Sequence, residues 1–372
     1  MDAIVVTHST ALYAIRCARR RYAGLPWEQL SRSQQQRALA SCAPNERDLD
    51  LDDLERLGVW SPELGCLDIL VASSSAQRKS SLLRPHVFSN PLPSNSLLRV
   101  SGDVYCVSPA LAAIQFASDH SWQETLALLY ELCGTFSLSD QLKISADQIG
   151  QPLSRRTYSL NDPFAQPDVQ IDSWPEQIHQ DQRDAGYLAS EAVLTSRQFD
   201  RYVSNAKNIL GLPCARKAAR YVLDGAASPM EAIMAAMFHA PQSVGGFGIK
   251  EMQLNLPIEF SHDAVLASGM SRAVLDAYIP QARATLEYNG HYHDARGSRI
   301  HDEKRTTGLQ AMSILSIPVN DEQLQNLDAL EAIAKTLYKR MGKQFRFTTN
   351  DYRSKQAKLL NALRHQMGLD PC

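Results

Sequence analysis

The run Arg272-Ala273-Val274-Leu275-Asp276-Ala277-Tyr278-Ile279, followed two residues later by Ala282-Arg283-Ala284-Thr285-Leu286-Glu287-Tyr288-Asn289-Gly290-His291-Tyr292-His293, decides how the second half of this chain reads. Both runs have strand composition, and each carries a single acid, Asp276 and Glu287, that interrupts it. A carboxylate inside such a strand is costly unless it is paired, hydrogen-bonded or bound to a cation. Two acids on neighbouring strands, followed by a glycine and two histidines, can hold a hard divalent cation beside a proton-transfer group. The plain alternatives are a solvated or Arg-paired Asp276, and a Glu287 that merely flanks an Asn-Gly hairpin turn. The polar stretch after Gly290 offers no matching apolar strand, which favours the first reading for Glu287.

Working outward, 229–239 reads as a helix, Gly245-Gly246-Phe247-Gly248 as a turn and Leu254–Phe260 as a strand. Downstream come a helix over 301–312, a strand over 313–318 and a helix over 321–341. This order predicts a mixed sheet flanked by helices, an α/β (α+β) arrangement. The N-terminal part reads as a second α/β unit, with strands near 3–6, 67–72, 87–88, 97–100 and 103–107 and helices ending at Gly24, near Ser118 and at Gly134. Between 138 and 187 turn-forming and polar residues prevail without periodicity. The expected organisation is therefore an N-terminal domain over 1–137, an irregular linker or insertion over 138–190, a helical connector over 191–225, a second domain over 226–345 and a basic C-terminal helix over 346–372.

With 44% hydrophobic and 21% charged residues, the 372-residue chain has the composition of a globular protein. No apolar run approaches the ~18 residues of a membrane span, and the N-terminus lacks a basic, cleavable leader pattern. Seven cysteines without CxxC spacing predict reduced thiols, a cytoplasmic location and no cysteine-based zinc site. The near-neutral total hides an asymmetry of −6 over residues 1–190 and +4 over 191–372. Nine basic residues, including Lys339, Arg340, Lys343 and Arg346, crowd between Lys335 and His365 with Asp351 as the one acid. Such a run attracts polyanions, DNA above all, although a solvated amphipathic helix accounts for it equally well.

Further candidates surround the two acids. Of His291 and His293, the latter is favoured for proton transfer near neutral pH. Ser228-Pro229-Met230-Glu231 has the pattern of a helix start with a capping box, a structural role sufficient for Glu231 on its own. Asp302 and Arg305 stand three apart on a helix, either as a surface ion pair or as a brace or phosphate contact for the site; Lys304 lies between them. Arg216, Lys217 and Arg220 read by default as a solvated face. No P-loop, GxGxxG or GxSxG points to a small-molecule enzyme.

These motifs together resemble the very-short-patch-repair (Vsr) endonuclease-like family of the PD-(D/E)XK nucleases. The residues that carry the likeness are Ser228-Pro229-x-Glu231, Asp276, Glu287-Tyr288-x-Gly290 with a following His, and Asp302-x-x-Arg305. The N-terminal part is similar to AbiEi-type antitoxins through Thr7-His8-Ser9-Thr10-Ala11-Leu12, Val107-Ser108-Pro109-Ala110 and Glu131-Leu132-Cys133-Gly134-Thr135. The resemblance implies a restriction-endonuclease-like fold in which Asp276 and Glu287 hold Mg²⁺ or Mn²⁺. It also implies that Glu231 adds a carboxylate, that His293 assists proton transfer, and that Asp302, Lys304 and Arg305 support the site or meet phosphate. The expected activity is metal-dependent endonucleolytic hydrolysis of DNA, in repair, phage defence or mobile-element biology, with a protein partner met through the N-terminal domain. One departure is Asn289, which occupies the position where the superfamily usually carries Lys. It supports a second expectation, a non-catalytic nucleic-acid-binding or antitoxin-like regulatory module on a nuclease fold.

Overall fold

The structure is a computed structural model and describes residues 3–78, 80–139, 186–289, 296–347, 350–370 and 372. Most of the expected linker over 138–190 lies outside these residues, as do Gly290, His291 and His293.

In the N-terminal half β1 (Ile4–Val6) leads into α1 (His8–Tyr22), followed by β2 (Glu28–Gln29), α2 (Arg32–Ala40) and α3 (Leu51–Arg56). Next come β3 (Leu67–Val71), β4 (Leu83–Val87), β5 (Leu97–Ser101) and β6 (Val104–Val107), then α4 (Pro109–Phe116) and α5 (Trp122–Cys133). The six strands form one mixed sheet in the order β2-β5-β6-β1-β3-β4. Its centre is buried throughout, and β1 and β6 accordingly read as continuous apolar runs rather than as alternating ones, as does β3 apart from the buried, hydrogen-bonded Asp68. Local signals start the helices. Ser121 and Glu124 close a capping box on α5, and Ser108 caps α4 ahead of Pro109. A small hairpin of β7 (Phe136–Leu138) and β8 (Tyr187–Ala189) brackets the undescribed segment.

The C-terminal half continues with α6 (Ser196–Asn205), α7 (Leu212–Ala219), α8 (Pro229–His239), β9 (Gln253–Glu259) and α9 (His262–Ser268). Then follow β10 (Arg272–Ile279), β11 (Ala284–Tyr288), α10 (Arg296–Ala311) and β12 (Leu315–Val319). The chain closes with α11 (Asp321–Gln325), α12 (Leu327–Arg340) and α13 (Tyr352–Gln366). The sheet order is β12-β11-β10-β9, antiparallel except for the parallel pair β11/β12. Thus the mixed sheet flanked by helices is present, and the chain is of the α/β class.

Several details differ from the sequence-based expectation, among them a helix (α9) between β9 and β10 and a strand β4 that begins at Leu83. The single helix over 321–341 is two, because Asn326 leaves the helix and its side chain caps Asp328 and Ala329. The C-terminal helix α13 is not a solvated appendage: Leu359, Leu360 and Leu363 are buried, and it packs on α5 and α8. One apolar core consequently runs from Val5 and Val6 through Tyr130 and Phe238 to Leu360. At the Gly-rich turn, a Cβ on Gly246 would overlap the carbonyl of Ala240, so these glycines serve close packing. A smaller core of Phe260, Ala264, Ala273, Leu275, Leu309 and Ile314 joins α9 and α10 to the sheet.

Candidate functional site

The ladder between β10 and β11 ends at the pair Ala277/Leu286. One step further the same register sets Asp276 beside Glu287, and there the strands part. The amide of Tyr288 donates to Asp276 Oδ2 at 2.8 Å instead of to a backbone carbonyl of β10. The other neighbour of β10 is interrupted at the same level. Leu256 pairs with Leu275 and Leu254 with Ala277, but Asn255 and Asp276 do not pair. Asn255 has φ at +47°, a left-handed conformation that costs a non-glycine residue roughly 1–2 kcal/mol. Asp276 therefore stands where the sheet is open on both sides.

Glu287 is only 3% exposed. Its Oε1 accepts from Thr285 Oγ1 at 2.6 Å, and its Oε2 forms an ion pair with Arg305 Nη2, reaching in from α10. The same guanidinium nitrogen donates to the carbonyl of Val274. Burial, then the charge of Asp276, pushes the Glu287 carboxyl up to about 7, with Arg305 and Thr285 pulling the other way.

Glu231 approaches from the first turn of α8. Ser228 Oγ caps the amide of Glu231 at 3.2 Å and donates to its Oε1 at 3.0 Å, while Oε2 accepts from the amide of Ala227 at 2.9 Å. The expected cap is thus present, although the carboxylate reaches the amide of Ala227 rather than that of the N-cap residue. Asn255 Nδ2 supplies another donor, at 2.8 Å from Oε2. Burial and the Asp276 charge raise the Glu231 carboxyl to about 7 as well. The Asp276 charge thus disfavours ionisation of both glutamates. Nearby, the hydroxyl of Tyr288 bonds the Asp321 carboxylate, and Tyr187 of β8 has its ionisation suppressed by burial and by Glu231.

The remaining candidates divide. His293 lies outside the described residues, so its place is not assigned. Asp302 and Lys304 are exposed on α10 and have no polar partner among the described residues. Of the two readings of Asp302 and Arg305, the surface pair is not formed; Arg305 turns inward to the buried Glu287 carboxylate, a contact of the bracing kind. Of the basic group, Arg340 donates to the carbonyls of Ala282 (2.8 Å) and Arg283 (3.3 Å), and Lys343 to Gln281 Oε1 (3.1 Å). These two fasten the turn between β10 and β11. Lys339 is exposed, and among the described residues Arg346 reaches the nearby Gln344 alone. Elsewhere in the run Arg353 pairs with Asp328 and Glu331, and Lys335 with Glu331 at 2.7 Å. The acid-poor appearance of the tail is therefore corrected by acids that α12 brings to it. Arg216, expected on a solvated face, caps the carbonyls of Val203 and Ala206 at the end of α6.

The oxygen donors of Asp276, Glu287 and Glu231 suit a hard cation such as Mg²⁺ or Mn²⁺. Among the described residues, however, no three His, Cys, Asp or Glu side chains stand together as a formed metal site. In the structure Glu287 faces Arg305, and Glu231 faces Ala227, Ser228 and Asn255. The donor chemistry fits, and coordination by Glu287 requires that Arg305 yield its place. A cleft of about 840 Å³ lies between the N-terminal half and α6, lined by Trp27, Arg32, Leu92 and Tyr202 among others, and none of the three acids lines it.

Residue reading missed Thr285 and Asn255. The signal for Asn255 was present in Leu254-Asn255-Leu256-Pro257, since Asn is depleted in strands and tolerates left-handed backbone. No helix among the described residues is long and apolar enough to cross a membrane. Comparison of the whole chain with protein-family models, curated proteins and solved structures finds no match.

Proposed function

We propose that this chain is a divalent-metal-dependent phosphodiester hydrolase acting on DNA. The observation that carries the reading is the placement of two acids on neighbouring strands where the sheet opens: Asp276, held by the Tyr288 amide, and buried Glu287, one register step beyond the last β10/β11 pair. Such an arrangement stores repulsion that a divalent cation relieves. Asp276 and Glu287 are the residues that would hold Mg²⁺ or Mn²⁺. Bound there, the cation would lower the pKa of a water and neutralise charge on the phosphate oxygens.

The chain's own residues do the rest. Tyr288, through its amide, holds the Asp276 carboxylate at the mouth of the parted strands. Arg305, once exchanged for the cation at Glu287, is free to engage a phosphate oxygen, for which its planar fork is well suited. Glu231, with its proton affinity near neutrality, is able to take a proton from water. Exposed Lys339 and Arg346 offer contacts to a nucleic-acid backbone. The direct test is cleavage of single- and double-stranded DNA in Mg²⁺ and Mn²⁺. Cleavage should be lost in Asp276→Ala, and unchanged cleavage in that variant overturns the assignment.

A second reading has its own support in the Arg305–Glu287 ion pair and in Asn289. On this reading the domain is a non-catalytic nucleic-acid-binding platform, coupled to a regulatory N-terminal half. It requires salt-sensitive DNA binding that persists when Asp276 and Glu287 are both replaced.

A further inference from the structure

Asn255 combines three features that no other residue of β9 shares. It has left-handed backbone, it drops out of pairing opposite Asp276, and it donates through one amide nitrogen to two acceptors. Those acceptors are the carbonyl of Gly225 at 2.6 Å and Glu231 Oε2 at 2.8 Å. The Gly225 carbonyl accepts only, so the side-chain nitrogen is the atom that must face it. The flanking residues of β9 keep regular pairing with β10, which confines the irregularity to this residue. Gly225 lies in the connection that leads into α8, and the amide thus ties the sheet to the loop that positions Glu231.

We infer that Asn255 is the positioning residue of Glu231: its left-handed backbone turns the amide out of the sheet to tie the Glu231 carboxylate to the strand position opposite Asp276. Without that tether, repulsion from Asp276 would drive Glu231 toward solvent, and only the N-terminal cap of α8 would restrain it. Strain at one residue is sustained because it brings together charges that would otherwise separate. The consequence for cation binding rests on the metal-centre reading above; the tether itself does not.

The test is a double-mutant cycle between Asn255→Gly and Glu231→Gln, read by Mn²⁺ binding in electron paramagnetic resonance. Glycine accepts φ of +47° without strain and removes only the amide. Each single variant should bind Mn²⁺ about 10- to 100-fold more weakly. The double variant should bind no more weakly than the weaker single one, because Asn255 acts through Glu231. Wild-type affinity in Asn255→Gly, or a double variant weakened by the product of the two single effects, overturns the inference. Should Asn255→Gly fail to fold, Asn255→Ala replaces it in the cycle, since it removes the amide without adding a charge or a cation ligand to the cluster. If the wild type binds no Mn²⁺, the metal reading fails by itself. The tether is then judged by the same cycle in thermal denaturation, where non-additive changes in melting temperature support it and additive ones overturn it.

Discussion

Arg305 closes on Glu287 from a helix 18 residues further along the chain, and with the same nitrogen it binds the carbonyl of Val274 on the neighbouring strand. The guanidinium occupies, in charge and position, the place that a cation at Glu287 would take. Removing one partner of a buried ion pair typically costs about 3–5 kcal/mol. Protonation of Glu287 softens that loss. Arg305→Ala should therefore destabilise the cation-free protein by roughly 2–4 kcal/mol, with much of the loss recovered in millimolar Mg²⁺. Thermal melts of wild type and variant with and without Mg²⁺ decide this. Equal shifts by Mg²⁺ in both proteins would mean that Arg305 and the cation do not compete.

The raised carboxyls of Glu231 and Glu287 set a pH dependence with a definite sign. Between the ordinary value of 4.5 and about 7, the folded state retains protons that the unfolded chain has released. Stability must then fall as pH rises through that window and level off above it. Glu231→Gln, which stays neutral, should flatten the slope. Added Mg²⁺ should raise the melting temperature more at pH 8 than at pH 5.5, since it competes with protons for the same oxygens. Calorimetric melts across pH 4–8.5 supply the measurement.

Asp276→Asn keeps an acceptor for the Tyr288 amide while removing the charge that disfavours both glutamates. The metal-free variant should equal or exceed wild type in stability at pH 8, and its Mn²⁺ affinity should drop at least about tenfold. A marked loss of stability in this variant would show Asp276 to be a structural carboxylate. Titration calorimetry alongside denaturant unfolding separates the two outcomes.

The basic residues of the tail should separate in the same way. Replacing exposed Lys339 and Arg346 together by Ala should leave stability within about 0.5 kcal/mol and reduce the slope of log affinity against log salt for duplex DNA by about 2. Arg340→Ala should act chiefly on stability, by about 1 kcal/mol or more, because it removes donors to the carbonyls of Ala282 and Arg283. Filter binding at several salt concentrations, with melts as control, distinguishes these effects.

Legibility from sequence followed the range of the physics. Glu231 was correctly read as the third residue of a capped helix, because caps depend on neighbours three residues away. The strands bearing Asp276 and Glu287 announced themselves by composition over eight residues or fewer. The short helix α9 escaped notice, although Ser261 caps it and Gly269 ends it in left-handed backbone, because seven residues carry little periodicity. The four-residue pattern Leu254-Asn255-Leu256-Pro257 held the clue to Asn255 but not its partner.

By itself, then, the sequence determined the α/β class, the two strands that carry the acids and the cap that fixes Glu231 to α8, all products of local backbone preference. Tertiary structure alone decided that Arg305 pairs with buried Glu287 rather than with Asp302, that Asp328 and Glu331 from α12 pair with Arg353, and that Asn255 strains its backbone to reach Glu231. Those pairings join residues 18 to 25 positions apart, and their energies depend on distance and burial, quantities that exist only once the strands and helices have packed.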